Sequence, residues 1–543
     1  MPPAVYHAGL DPDAVLTGTD AAPAPDPDPL RGTPPRRQDV LTAIGVASVV
    51  TLFAFVWRSP IVPTDPYHYV LQTLQFPSDN WVALGLSRYG IFLANLAPAF
   101  LFKNAEATYY FWPLVSTALL AAMVYLIARR FWGVVAGLVA VVVLFCNTLV
   151  LYNATRFYPD VMAIALVYAA AFAALMARDR DFRGRSAIGW LLVTGFFLGW
   201  SFEVRETAML SWPIVMLLLW RRGTVLRAFG VAAITVALWL AIDVGISWFV
   251  YGDPLLKAHI LIGQNPAGAG YDPPRPAAPA GSAAPVLHTR WEWFLTIPKT
   301  ALQSRPDGVW MVLSGVVAAL AVFARSRPLR VFAVGFIAVY GLNLLAGGVL
   351  LPQHPFGSLA NSRYWIQYFP AIALVVGGLT GTAIRWLSSR PLPRWGRLAA
   401  TATVVGVVCA VPVWHAQQFI TTTEAFAPNG GDALDELRDF AAESDLSADT
   451  VWSDSRTLRL LPVYQRPVFG GDKLWTGKGR ALTKDADPQP GDLVLFYSAH
   501  DTAVCIHCNW NVQGWLKEHP QVPANWELIF STQDKNVELY RVG

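Results

Sequence analysis

Residues 159–206 read PDVMAIALVYAAAFAALMARDRDFRGRSAIGWLLVTGFFLGWSFEVRE. The apolar runs 161–177 and 187–203 are each long enough to cross, or nearly cross, a hydrocarbon core of about 30 Å. The turn between them carries Arg178, Arg180, Arg183 and Arg185, whereas their far ends carry Asp160 and the group Glu203, Arg205, Glu206. Positive charge on cytoplasmic loops is the usual orientation signal. The stretch therefore reads as a hairpin of two membrane helices with its arginine turn inside and its acidic ends outside.

The same alternation extends in both directions. Apolar runs lie near 40–57, 108–128, 131–151, 161–177, 187–203, 207–220, 228–250, 309–324, 329–351, 365–384 and 398–414, which makes about eleven transmembrane helices. With a cytoplasmic N-terminus, the inner loops hold Arg129 and Arg130, Arg221 and Arg222, Arg325, Arg327 and Arg330, and Arg385 to Arg397. A further apolar stretch, 88–103, would invert that parity if it crossed; it reads as a helix lying in or against the outer surface, with Arg88 and Lys103 at its ends.

Composition agrees with two solvents. The 543 residues are 54% hydrophobic and 14% charged, too few charges for a single soluble globule. Segment 416–543 holds 18 acidic and 11 basic residues, a balance of −7. The fold expected is a polytopic α-helical membrane protein, a domain over 39–415 with outer loops 58–107 and 251–305, followed by a C-terminal extracytoplasmic α/β domain over 416–543. That last domain alternates a helical stretch (ALDELRDFAAES) with short apolar strands (TVWSD, DLVLFYS, WELIFST, VELYRV). Residues 1–38, rich in Pro, Ala and Asp, are expected as a disordered cytoplasmic tail. The expected location is the plasma (inner) membrane, multi-pass. No basic tract or basic–aromatic interleaving points to nucleic acid.

Ionisable residues at the outer ends of the spans are the candidates for chemistry, because charge at that depth is costly unless it is paired or faces water. Asp65 follows the first span in RSPIVPTDPYHY, close to His68. Its carboxylate could take a proton from a hydroxyl; Asp before Pro is equally a helix N-cap. Asp160 has the same two readings. Together the two acids could share a divalent metal ion. Arg205, flanked by Glu203 and Glu206, either forms an internal ion pair or grips a phosphate, whose geometry a guanidinium matches. Arg156, Arg363 and Tyr364 stand at similar rims, where arginines and aromatics also serve as interface anchors. Asp243 is the clear mid-span acid. Cys505 and Cys508 in the exported domain are a disulfide candidate, with a zinc site including His500 and His507 as the lesser alternative.

The order of features resembles that of the GT-C superfamily, bacterial polytopic glycosyltransferases that use polyprenyl-phosphate sugars. The resemblance covers roughly residues 40–415. It rests on Asp65 in the first outer loop, the surface helix, LIARRFWG (126–133) closing a span, Asp160 after the third span, and RYWIQYFPAIAL (363–374). It implies transfer of a sugar from a polyprenyl-phosphate donor to a hydroxyl of a glycan, lipid or protein acceptor at the outer face, with inversion and Asp65 as base. Asp160 would assist, and Arg205, Arg363, Arg156, His68, Glu206 and Tyr364 would hold donor phosphate or sugar. A lipid-linked glycan transporter or scaffold, or an oligosaccharyltransferase using a pyrophosphate carrier, would share the topology.

Overall fold

The computed structural model describes residues 28, 30–59, 61, 69–70, 73, 88–102, 105–261, 290–346, 362–421, 431–444, 446–454, 457–466, 472–497, 515, 519, 521–533 and 537–543. Asp65, His68, Cys505 and Cys508 lie outside these residues.

Within the described residues, each apolar run expected to span is largely helical. Among the described residues, eight helices are long and apolar enough to cross a membrane, including α1 (Arg37–Val56), α3 (Ala105–Trp132), α6 (Pro159–Arg178) and α7 (Gly184–Val204). Four shorter apolar helices accompany them. Run 131–151 is divided into α4 (Val134–Phe145) and α5 (Thr148–Asn153), where the Asn147 side chain accepts from the amides of Leu149 and Val150 and caps the second piece. Run 207–220 is a 3-10 segment (Glu206–Ser211) that passes into α8 (Trp212–Leu219).

Helix α6 is the axis of the bundle. It is apolar on every face, and 94% of its membrane window is buried, as a helix with no polar stripe must be when neighbours cover it all round. Its alanines let α3 and α7 approach closely, since lipid offers no hydrophobic gain from their association and van der Waals packing must supply it. Helix α9 (Val225–Tyr251) packs on α7 at the periphery. The remaining helices of the membrane domain are α2 (Tyr89–Phe102), α10 (Leu256–Leu261), α11 (Arg290–Ser304), α12 (Gly308–Leu320), α13 (Arg327–Ala346), α14 (Phe369–Ser388) and α15 (Arg394–Thr421). Arg88, just before α2, meets Glu206, and the chain enters α3 three residues after α2 ends. Helix α2 thus starts and finishes at the same end of the bundle.

The C-terminal domain contains α16 (Gly431–Glu443), α17 (Thr457–Tyr464) and a five-stranded sheet. Its strands are β1 (Thr450–Ser453), β2 (Lys478–Ala481), β3 (Leu493–Tyr497), β4 (Trp526–Ser531) and β5 (Val537–Val542), in the order β2-β1-β3-β5-β4. β1 pairs parallel with β2 and β3; β5 pairs antiparallel with β3 and β4. The four apolar strands are those the sequence predicts, whereas β2, the polar edge KGRA, has no apolar alternation to announce it. Arg438 of α16 is buried and bonds Glu106 in the first turn of α3 at 3.1 Å, fixing the domain to the bundle.

Ahead of and at the start of α1, side chains between Asp28 and Asp39 pair with charges at this end of the bundle. Asp28 bonds the buried Arg178 at the end of α6 (Nε to Oδ2, 2.8 Å), Arg31 bonds Asp181 at 2.5 Å, and Asp39 bonds Arg129 at 2.6 Å. The physical cause is the set of arginines ending α3 and α6, which need counter-ions where they leave the bundle. Burial by itself would raise the Asp28 carboxyl. Hydrogen bonds from Arg178 and the Leu30 amide, with the charges of Arg178 and Arg221, hold it below its ordinary value. Its contribution to stability is therefore complete above a pH of about 4 and is lost as pH falls through the lowered value. Asp28→Asn should cost about 1–3 kcal/mol at neutral pH, toward the lower figure because Arg178 keeps the carbonyls of Leu218 and Trp220. Thermal unfolding in detergent should show that deficit undiminished from pH 8 to 5 and closing below pH 4.

Candidate functional site

At the end of the bundle where α6 begins, charged side chains from four separate stretches meet. Pro159 occupies the first position of α6 and Tyr158 is its N-cap, without a side-chain cap bond. Asp160, one residue further in, is therefore not a cap. Its Oδ2 lies 2.5 Å from Nη1 of Arg205, and both residues are buried. The capping reading of Asp160 gives way because proline preorganises the first turn without a side-chain acceptor, leaving the carboxylate for an arginine on a neighbouring helix.

Arg205 reaches that carboxylate because α7 stops there. Its backbone is extended (φ −157°, ψ 120°), after which the chain continues as the 3-10 segment. Its Nε donates to Thr207 Oγ1 (2.8 Å), and its guanidinium lies 4.6 Å from the ring centre of Tyr364. Glu206 turns the other way, to Arg88 Nε at 3.7 Å. Arg88 also donates to the Tyr69 hydroxyl and lies over that ring. Arg363, in the 3-10 segment Ser362–Tyr368, stacks between the rings of Tyr158 (5.0 Å) and Tyr364 (5.1 Å) and donates to the Tyr364 hydroxyl at 3.2 Å. A narrow cavity of about 20 Å³, room for about one water, is bordered by Asp160, Arg205, Thr207, Ser211, Tyr364 and Gln367.

Close backbone contact maintains this geometry. Gly90 of α2 abuts the last turn of α7 so tightly that a Cβ there would fall 2.8 Å from Glu203 C and Val204 N. Its carbonyl accepts from Trp200 Nε1 at 3.0 Å. The contact sets Arg88 against Glu206.

Of the residues singled out in the sequence, Asp160, Arg205, Glu206, Arg363 and Tyr364 converge. Arg156 does not join them: its Nε donates to Ser59 Oγ (2.9 Å), its guanidinium covers the Tyr152 ring at 3.6 Å, and its Nη2 is buried without a hydrogen-bond partner. The structure adds Arg88, Tyr69 and Tyr158. Arg88 had a legible signal, a lone cation opening a 14-residue apolar helix, which fits a surface anchor equally well. The Asp160 carboxylate is engaged by Arg205, among the described residues no three His, Cys, Asp or Glu side chains form a group suited to a metal, and Asp65, expected to share a metal with Asp160, lies outside those residues.

Among the solved structures, the chain is similar to ArnT from Cupriavidus metallidurans in the apo state, at 13% identity and a TM-score of 0.56, over 93% of this chain and 98% of that one. The chain has the GT-C fold. ArnT from the same organism bound to undecaprenyl phosphate matches over the same shares at 12% identity and a TM-score of 0.50. Residues 92–248 match the family described as dolichyl-phosphate-mannose-protein mannosyltransferase, a stretch running from α2 to the end of α9 and so including Asp160, Arg205 and Glu206. No curated protein matches. The GT-C fold agrees with the polytopic architecture and the small C-terminal sheet domain read from the sequence.

The closeness of α2 to α7 is directly testable. Gly90→Ala requires the two backbones to separate, an overpacking cost of about 1–3 kcal/mol. The thermal midpoint of Gly90→Ala in detergent should therefore fall below that of the wild type.

Proposed function

We propose that this protein is a membrane glycosyltransferase that moves a sugar from a polyprenyl-phosphate donor to a hydroxyl acceptor at the extracytoplasmic face. The observation that carries the reading is the joining of two unlike surfaces on the single 3-10 segment Ser362–Tyr368. On one side Arg363 and Tyr364 face Arg205, Asp160 and Tyr158. On the other, Trp365 and Tyr368 line an apolar groove of about 540 Å³ with Phe294, Ile297, Met311 and Phe336. A lipid with a phosphate head and a long hydrocarbon tail matches that pair of surfaces. The match to ArnT, one of whose structures is bound to undecaprenyl phosphate, supports the same donor class.

The charges favour an anion. Arg88, Arg205 and Arg363 oppose Asp160 and Glu206, three positive charges against two negative. In the transfer, the acceptor oxygen attacks the anomeric carbon as the carbon–oxygen bond to phosphate breaks, and the acceptor proton passes to a carboxylate, for which Asp65 is the candidate. The departing polyprenyl phosphate needs no proton, since fixed guanidinium groups in a site shielded from bulk water stabilise the charge it gains. Asp160 holds Arg205 toward the cavity rather than acting as the base. Attack opposite the leaving phosphate inverts the anomeric centre.

Purified protein offered a panel of polyprenyl-phosphate sugars should release the free carrier from at least one of them. Asp65→Asn should lower the transfer rate by about 10²–10⁴-fold while leaving carrier binding intact; a near-normal rate would remove Asp65 as base. Arg363→Ala, and the charge-balanced pair Arg205→Met with Asp160→Asn, should each weaken polyprenyl-phosphate binding about tenfold or more. Unchanged affinity in both would remove the phosphate assignment.

A further inference from the structure

Glu203 and Asp243, both conspicuous in the sequence, have no part in the cluster around Arg205. They are buried together around Lys257. Its ammonium bonds the Glu203 carboxylate, lies 3.6 Å from Asp243 Oδ1, and sits 4.7 Å from the centre of the Phe202 ring. All three side chains are less than a tenth exposed, at 6% for Lys257, 1% for Glu203 and 8% for Asp243. They belong to three elements. Glu203 is in the last turn of α7 and Asp243 is two turns from the end of α9. Lys257 is in α10, which returns to the bundle after Gly252 ends α9 in the left-handed conformation (φ +70°).

The position of Glu203 calls for an explanation. A carboxylate in the final turn of a helix meets the partial negative charge of the unsatisfied carbonyls, and here it also faces the like charge of Asp243 in an apolar setting. One ammonium shared by two carboxylates accounts for both being tolerated. Two residues beyond Glu203, α7 breaks at Arg205. The direction of that break sends Arg205 to Asp160 and Glu206 to Arg88.

We propose that Lys257 is a positioning residue for the transfer reaction: by clamping Glu203 against Asp243 it fixes where α7 ends, and so holds the Arg205 guanidinium where the donor phosphate binds. The inference rests on the donor-binding reading above. The ion pairs of Lys257 are with Glu203 and Asp243, so it reaches the residues around the cavity through the backbone at 203–206 and through its charge, which acts on Glu206.

The test uses full-length protein in lipid nanodiscs, with undecaprenyl phosphate as the binding probe and backbone amide exchange over 204–208 as a second readout. In the wild type the Arg205 amide donates to Ser201 O at 2.9 Å and the Ala208 amide to Arg205 O at 3.0 Å. Lys257→Met should speed exchange of these amides about tenfold or more and weaken carrier binding. It should also lower transfer about 100-fold, as expected for displacement of a group that orients the reactants. Lys257→Arg should restore all three measures. The uncharged triple variant Lys257→Met, Glu203→Gln, Asp243→Asn removes the clamp without stranding a carboxylate and should stay defective in all three measures. Should Lys257→Met fail to fold, the triple variant and Lys257→Arg compared with Glu203→Gln alone supply the same contrast. Normal exchange and binding in folded Lys257→Met would overturn the proposal, as would a triple variant restored to wild-type behaviour, which would trace the defect to stranded charge instead of a lost clamp. A wild type that binds no undecaprenyl phosphate would sink the donor reading instead, while the exchange arm would still decide the role of Lys257.

Discussion

A charged side chain inside an apolar helix bundle persists when an opposite charge meets it there, and that requirement organises both ends of this molecule. At one end Asp160 holds Arg205 and Glu206 meets Arg88. At the other, Arg178 takes Asp28, Arg129 takes Asp39, and Arg130 takes Asp179. In each case the partners come from different helices or from a chain segment outside the span, so pairing fixes relative helix positions as well as neutralising charge. Replacing one partner strands the other at a depth where water cannot compensate it. Helix ends that would otherwise be free to shift are thereby locked.

Between these ends, packing is made by size. Helix α6 carries alanine at eight positions between Ala163 and Ala177 and is buried along almost its whole length. Gly90 lets α2 lie on the backbone of α7. In lipid such contacts gain little from excluding water, so their value lies in close van der Waals approach and in the precision it gives to the residues at their ends. Arg88 and Arg205 belong to the elements joined by the Gly90 contact. Close packing in the middle of the bundle is therefore also a condition of the charge geometry at its rim.

How legible this was depends on the range of the interaction. Apolar runs became helices because lipid leaves the backbone no other partner, and this holds residue by residue. The strands of the C-terminal domain were equally visible as short apolar stretches such as TVWSD and VELYRV. Asp160 was ambiguous because an acid beside a proline opens helices and also binds arginine; the choice was made by Arg205, 45 positions away and on another helix. Lys257 gave no signal at all, since a lysine in a long outer loop looks solvated until α10 folds back on α9. The pairing of Asp28 was hidden for the same reason. Asp28 lies in a Pro-rich stretch that cannot form a core, yet it serves a buried arginine 150 positions later.

The polarity of the backbone completes the electrostatic account. Three helices begin beside the cavity: α6 supplies Asp160, α8 follows Ser211, and α14 follows the 3-10 segment bearing Arg363 and Tyr364. Each has proline within its first two positions, where the missing N–H removes no helical hydrogen bond. Their N-terminal ends add partial positive charge to that of the three guanidinium groups, and an anion seated there gains from both. Helix α7 instead finishes nearby with partial negative charge and carries Glu203 in its last turn, while α9 brings Asp243 to the same place two turns before its own end. Lys257 is found on that side. Helix direction, side-chain charge and the break at Arg205 thus act together, with a positive field on the face that meets the cavity and a compensated negative one behind it.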